Sequence, residues 1–166
     1  MLHGVKVKKV RVNSDERGLF SELLRTDWKD FVEEDVSQVN LSFSYPNIIR
    51  AWHRHLKGQV DYLAVLEGTI KVCIYDEGSG ELDEIILTGH DIQVIRIPGI
   101  YWHGFKVISD KTAWLLYFIN KLYDYEKPDE ERRPWNDPTI TPKSINGKTH
   151  DPRIGKPWDW NYPPHK

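Results

Sequence analysis

Arg50–Gly68 reads RAWHRHLKGQVDYLAVLEG, and its two halves decide what kind of molecule this is. The second half turns apolar and β-rich; the first sets His53 and His55 one residue apart. Side chains alternate along a strand, so these two histidines project from one face. Downstream, Ile97–Phe105 (IPGIYWHGF) brings His103 behind a Pro-Gly turn. In neighbouring strands of a barrel the three imidazoles converge on one interior. Taken singly, each histidine reads equally as a surface or satisfied core residue. His53 and His103 together, flanked by Trp52 and Trp102, favour a walled pocket.

Working outward, the chain from Asp61 on is dense in strands. YLAVLEG, TIKVCIYDE, LDEIILT, DIQVIRIP, HGFKVIS and AWLLYFIN are short, β-branched or aromatic, and separated by Gly, Ser and Asp turns. Such spacing predicts an all-β sandwich or barrel. Upstream, GVKVKKVRV alternates apolar and basic and reads as an edge strand. SDERGLFSELL reads as a polar turn feeding a short strand. TDWKDFVEEDV predicts a short helix capped by Thr26 or Asp27. VSQVNLSFS (36–44) alternates strictly, with Val39, Leu41 and Phe43 on one face and Gln38, Asn40, Ser42 and Ser44 on the other. In a barrel the polar face is able to line a hydrophilic interior. Beyond residue 127 lie eight of the ten prolines and three of the seven tryptophans. That excludes a regular helix or central strand, yet the segment is too rich in Trp and Ile for a plain disordered tail. We expect an ordered wrap across the barrel or a partner subunit.

A length of 166 residues fits a single domain over 1–166, with a barrel at 1–126 and an extension at 127–166. A net charge of −2 argues against a nucleic-acid binder. The single cysteine, Cys73, excludes an intrachain disulfide and reads as a small buried hydrophobe. No apolar run reaches the roughly 20 residues needed to cross a bilayer, and MLHGVKVKKV lacks a signal core. The expectation is a soluble, cytoplasmic protein that acts without a membrane.

Six blocks in order resemble those of the dTDP-4-dehydrorhamnose 3,5-epimerases, cupin-fold enzymes that epimerise nucleotide-linked 4-keto-6-deoxy sugars. They are DERGLFSE (15–22), SQVNLSFS (37–44), IIRAWH (48–53), IPGIYWHGF (97–105), LLYFIN (115–120) and RPWNDPTI (133–140). The resemblance implies an all-β cupin, or jelly-roll, barrel. It implies an isomerase of deoxysugar nucleotide metabolism that uses no cofactor, acts on a dTDP-4-keto-6-deoxyhexose type of substrate, and forms a homodimer with exchanged N-terminal strands. It assigns the nucleotide and phosphates to Arg17, Phe20, Glu22, Gln38 and Asn40, and the sugar-phosphate end to Arg50. His53 matches the base beside the ketone, and His103 the second active-site histidine. Tyr117 matches the acid on the opposite sugar face, with Tyr123 or Tyr101 next in line. The chemistry is self-consistent: enolisation needs a base, a stabiliser for the enolate oxygen and an acid on the far face. No phosphate-cradling glycine loop or dinucleotide fingerprint is present.

Two positions depart from the pattern. The resembling enzymes carry an enolate-stabilising lysine seven residues before the glycine matching Gly68; here that residue is Asp61, with Arg54, His55 or Lys57 as possible replacement cations. They also pair the base with an aspartate near the C-terminus, for which Asp151 and Asp159 are candidates. The same departures open a rival reading: His53, His55, Asp61 and His103 resemble the metal-binding cupin pattern and suit Fe, Mn, Ni or Zn. A third reading is a non-catalytic nucleotide-sugar-binding relative. The weight of the six blocks favours the metal-free epimerase.

Overall fold

The computed structural model describes residues 1–162, with thirteen strands and no helix among them. The strands are β1 (Lys6–Lys9), β2 (Val12–Asp15), β3 (Gly18–Ser21), β4 (Gln38–Ser44), β5 (Ile49–Arg54), β6 (Val60–Glu67) and β7 (Thr69–Tyr75). They continue with β8 (Glu81–Thr88), β9 (Gln93–Pro98), β10 (Trp102–Val107), β11 (Ala113–Ile119), β12 (Glu131–Arg132) and β13 (Ser144–Ile145). A five-stranded sheet, β1-β9-β6-β11-β4, faces a six-stranded sheet, β12-β5-β10-β7-β8-β13; β2 and β3 form a separate hairpin. This is the all-β jelly-roll expected. The basic-apolar strand β1 lies at a sheet edge, as its alternation indicated.

Period two sorts each strand between two environments. On β7, Ile70, Val72 and Ile74 enter the core between the sheets, joined there by Leu63 and Val65 of β6, Ile95 and Ile97 of β9, and Leu115 of β11. The opposite faces are covered as well. Over the six-stranded sheet, Trp52, Cys73, Tyr75 and Trp102 pack against Ile140, Trp158 and Trp160 of the C-terminal extension. Trp158 and Trp160 are 3% and 1% exposed, which explains why a proline-rich segment holds a fixed path. Lys71 Nζ donates to the Tyr162 carbonyl at 3.1 Å, and an Arg153–Glu84 ion pair at 2.8 Å ties the extension to β8.

Over the five-stranded sheet, Phe31 and Val32 cover Tyr62, Ala64 and Val94. The helix expected at 26–36 does not form. Only one turn closes, with Val32 N donating to Trp28 O at 2.7 Å. The next groups are taken by tertiary partners: Glu33 N donates to Tyr62 Oη at 3.2 Å, and the Glu34 carboxylate accepts from Tyr62 and Arg96. A continuing helix would pull Glu34 off both.

Strand β4 is inverted relative to a surface strand. Gln38, Asn40 and Ser42 point inward, while Val39, Leu41 and Phe43 are 54%, 53% and 47% exposed. The polar face is the interior one.

Candidate active site

At one end of the sandwich the inward positions become polar and enclose a cavity of about 620 Å³. Its floor is Leu63, Val72, Ile97 and Phe105, where the apolar core ends. Above that floor stand His53 and His55 from β5 and the loop after it, Asp61 from β6, His103 from β10 and Tyr117 from β11. The polar face of β4 supplies Gln38 and Asn40, linked by a 2.7 Å hydrogen bond from Gln38 Nε2 to Asn40 Oδ1. Arg50 completes that wall, its Nε donating to Ser44 Oγ at 3.0 Å.

The pairing of β5 with β10 sets the histidines face to face. His103 lies opposite His53 and Phe105 opposite Arg50, with a register shift between them. Gly104 permits the approach, since a Cβ there would stand 2.4 Å from that of Ala51 and 2.6 Å from the Arg50 carbonyl. The His53 and His103 ring centres are 4.2 Å apart. His103 donates Nδ1–H to the Tyr101 carbonyl at 2.9 Å, which orients Nε2 toward Asp61 Oδ2 at 3.5 Å. His55 is held similarly, its Nδ1 against the Asp129 carbonyl, with Nε2 3.9 Å from Asp61 Oδ2. Gln59 Nε2 donates to Asp61 Oδ1 at 2.7 Å.

Burial, and then the neighbouring His103, holds the His53 imidazole well below its ordinary value, so it is neutral near pH 7. Burial works to raise the Asp61 carboxyl, but its contacts with His103, His55 and Gln59 outweigh it and hold the group below its ordinary value. Burial, followed by the Asp61 charge, raises the Tyr117 phenol, which keeps its proton.

Several sequence expectations are redirected. Arg54 faces away, paired with Glu131 at 2.7 Å and stacked on Trp102 at 4.4 Å, so it is no substitute cation for the cavity. Lys57 lines the cavity, but its Nζ donates to the Lys127 carbonyl. Asp151 is bound to Arg153 at 2.8 Å and Asp159 caps Asn161, so neither stands by His53. The carboxylate near the histidines is Asp61, at the position of the expected lysine. Tyr101 donates to the His3 carbonyl in the core, whereas Tyr123 lines the cavity. Arg17, Phe20 and Glu22 lie outside the cavity of their own chain: Arg17 binds Asp15 at 2.5 Å, Phe20 is 65% exposed and Glu22 accepts from Arg25.

The sequence reading missed Gln59, which immediately precedes β6 and lines the cavity with Asp61, two residues on. Apart from Tyr123, it also missed the segment 121–132, whose Asp129 and Arg132 help to close one side of the cavity. Asp129 is fixed there by accepting from Leu56 N at 2.9 Å and Lys57 N at 2.8 Å.

A jelly-roll cavity with a neutral imidazole, a protonated phenol and convergent polar walls has the groups that acid–base chemistry on a polar small molecule requires. Residues 1–153 match the family described as dTDP-4-dehydrorhamnose 3,5-epimerase. A probable low-salt glycan biosynthesis epimerase, Agl13, from Haloferax volcanii is 46% identical over 140 residues, 81% of this chain and 89% of that protein. The spore coat polysaccharide biosynthesis protein SpsL of Bacillus subtilis is 37% identical over 145 residues, covering 84% of this chain and 94% of that one. The crystal structure of the 3,5-epimerase RmlC from Legionella pneumophila, in complex with dTDP-4-keto-L-rhamnose, superposes with a TM-score of 0.73 at 26% identity. That match covers 84% of this chain and 77% of that one. The chain belongs to the dTDP-4-dehydrorhamnose 3,5-epimerase family and is an isomerase of that class. Among the described residues no helix is long and apolar enough to cross a membrane.

Proposed function

We propose that this enzyme epimerises a nucleotide-linked 4-keto-6-deoxy sugar at a carbon beside its ketone, with His53 as base and Tyr117 as acid. The observation that carries this is their placement on opposite walls. His53 comes from the six-stranded sheet and Tyr117 from the five-stranded sheet, across one cavity. A sugar ring lying between them presents one face to each. His53 removes the C–H proton, the electron pair delocalises onto the C4 oxygen, and the Tyr117 hydroxyl returns a proton from the other side. The raised phenol keeps its proton and the depressed imidazole stays neutral, so each group rests in the form that its transfer requires.

Arg50 and the Gln38/Asn40 face bind the substrate on the β4 wall, toward the sugar-phosphate end. Arg17, Phe20 and Glu22 act in trans. The β2–β3 hairpin holds them well clear of their own cavity, and Val12, Leu19 and Phe20 on it are 42%, 65% and 65% exposed. In a homodimer with exchanged hairpins they reach the nucleotide bound to the other subunit. The apolar outer face of β4, with Trp114 against Phe43 at 4.5 Å, offers the matching surface on a cytoplasmic dimer.

The test is solvent-deuterium incorporation with a dTDP-4-keto-6-deoxyhexose. His53→Ala is expected to abolish exchange, because no enolate forms. Tyr117→Phe is expected to exchange on the original face without inverting. Normal inversion by Tyr117→Phe would transfer the acid role to Tyr123. Exchange at the wild-type rate in His53→Ala would remove the epimerase assignment. Tight nucleotide-sugar binding with no exchange in the wild type would leave a binding protein.

A further inference from the structure

Three side chains at the base of the cavity aim their lone pairs at one place. His55 and His103 each have Nδ1 against a backbone carbonyl, of Asp129 and Tyr101 respectively. In the neutral rings both Nε2 atoms are therefore acceptors. They face the same carboxylate oxygen, Asp61 Oδ2, at 3.9 Å from His55 and 3.5 Å from His103. Gln59 relieves part of this crowding: its Nε2 donates to Asp61 Oδ1 at 2.7 Å and lies 3.2 Å from His55 Nε2. No donor among the described residues reaches His103 Nε2, which is buried on a residue only 4% exposed. Lone pairs converging on a buried carboxylate are unfavourable unless a proton or a metal cation lies between them.

We propose that His55, Asp61 and His103 form a three-donor site for one divalent transition metal beneath His53. Two donors each about 2.1 Å from an ion stand roughly 3.0–3.5 Å apart. The observed 3.5 and 3.9 Å therefore require only a small contraction. Two imidazoles and a carboxylate suit Zn, Fe, Mn or Ni. Pinning the far ring nitrogen on a carbonyl is how metal-binding histidines are oriented, and both His55 and His103 have that support. His53 belongs to the same group of donor atoms, all within 4.8 Å of one another. It lacks such a pin, since neither of its ring nitrogens hydrogen-bonds a described residue, and so it stays free to act as base. The inference rests on the epimerase reading only for its consequence. An ion here restores the positive charge that Asp61 removes from the position of the enolate-stabilising lysine, and Asp61 becomes its ligand.

The experiment uses the full chain without a histidine tag, stripped with a chelator and titrated with Co²⁺, followed by visible absorption and calorimetry. One Co²⁺ per chain with ligand-field bands is expected. Asp61→Asn and His103→Gln should each weaken uptake by at least roughly 10–100-fold, the loss typical even of a supporting residue. His53→Ala should stay within a few-fold of wild type. Unchanged near-ultraviolet circular dichroism confirms folding of each variant. For one that does not fold, the wild-type gain in Tm with Co²⁺, reversed by chelator, provides the same answer. A folded wild type that takes up no Co²⁺ at millimolar concentration overturns the proposal and leaves a proton between Asp61 and His103. Uptake that survives Asp61→Asn and His103→Gln also overturns it, as does an equal loss in His53→Ala. Stripped protein that still shows His53-dependent deuterium exchange removes the metal and keeps the epimerase. Protein that binds Co²⁺ but accepts no nucleotide-sugar does the reverse.

Discussion

The two ends of the sandwich interior are built on the same strands with opposite chemistry. On β6 the inward positions run Asp61, Leu63, Val65; on β10 they run His103, Phe105, Val107; on β11 they run Tyr117, Leu115, Ala113. The strands and their period are shared, so only the closure of each end differs. Where the sheets meet side chain to side chain, inward residues are apolar, and burial stabilises by about 25 cal/mol per Å². Where the sheets part and the 121–132 segment closes the gap, the inward positions hold three imidazoles, a carboxylate and a phenol. Burying such groups opposes folding unless each is bonded, and His103 Nε2 is not. One end therefore supplies stability, while the other keeps unsatisfied groups for a ligand.

Substitutions at the two ends should separate cleanly. The largest effect is expected for His53→Ala, with turnover lowered about 10²–10⁴-fold through loss of the base, and Tm within a few degrees of wild type. A collapse in Tm with exchange retained would assign His53 to the core end. Leu115→Ala, at a fully buried position outside the cavity lining, should cost about 2–5 kcal/mol in urea unfolding. Its turnover per folded molecule should be unchanged; a matching loss of catalysis would mean that the two ends are mechanically coupled.

Next in size is Arg17→Ala, expected to weaken dTDP binding roughly ten- to hundredfold, or about 1.5–3 kcal/mol, if the partner's hairpin completes the cavity. Unchanged affinity in calorimetry would leave Arg17 as a surface residue bound to Asp15. The smallest effect on the fold is expected for Phe43→Ser on the outer face of β4, within about 0.5 kcal/mol for the monomer. Its consequence should appear in sedimentation as a shift from dimer to monomer, and a persistent dimer would move the interface elsewhere.

How much of this was legible beforehand follows from the range of each interaction. Alternation and turn residues act over two to five residues, so the strands from Val60 to Ile119 and the shared face of His53 and His55 could be read directly. The inward polar face of β4 was accessible on the same ground, once a barrel was assumed. The helix expected at 26–36 was misread because Tyr62 and Arg96, distant in sequence, compete for the groups of Glu33 and Glu34. The direction of Arg54 was equally out of reach, since Glu131 and Trp102 decide it from other strands.

By itself the sequence determined the all-β class, the strand order along the chain, the family, and which residue types were present for acid–base chemistry. Only the tertiary structure decided which of them meet. It set Asp61 beside His103 and His55, as the rival metal-binding reading groups them, and it left Asp151 and Asp159 on the far side of a sheet. It also brought Tyr123 and, from the extension, Asp129 to the cavity. The reason is physical: periodicity assigns a side chain to a face, but its partners are set by register between strands far apart in the chain. One register, His103 opposite His53 beside Gly104, assembles the site.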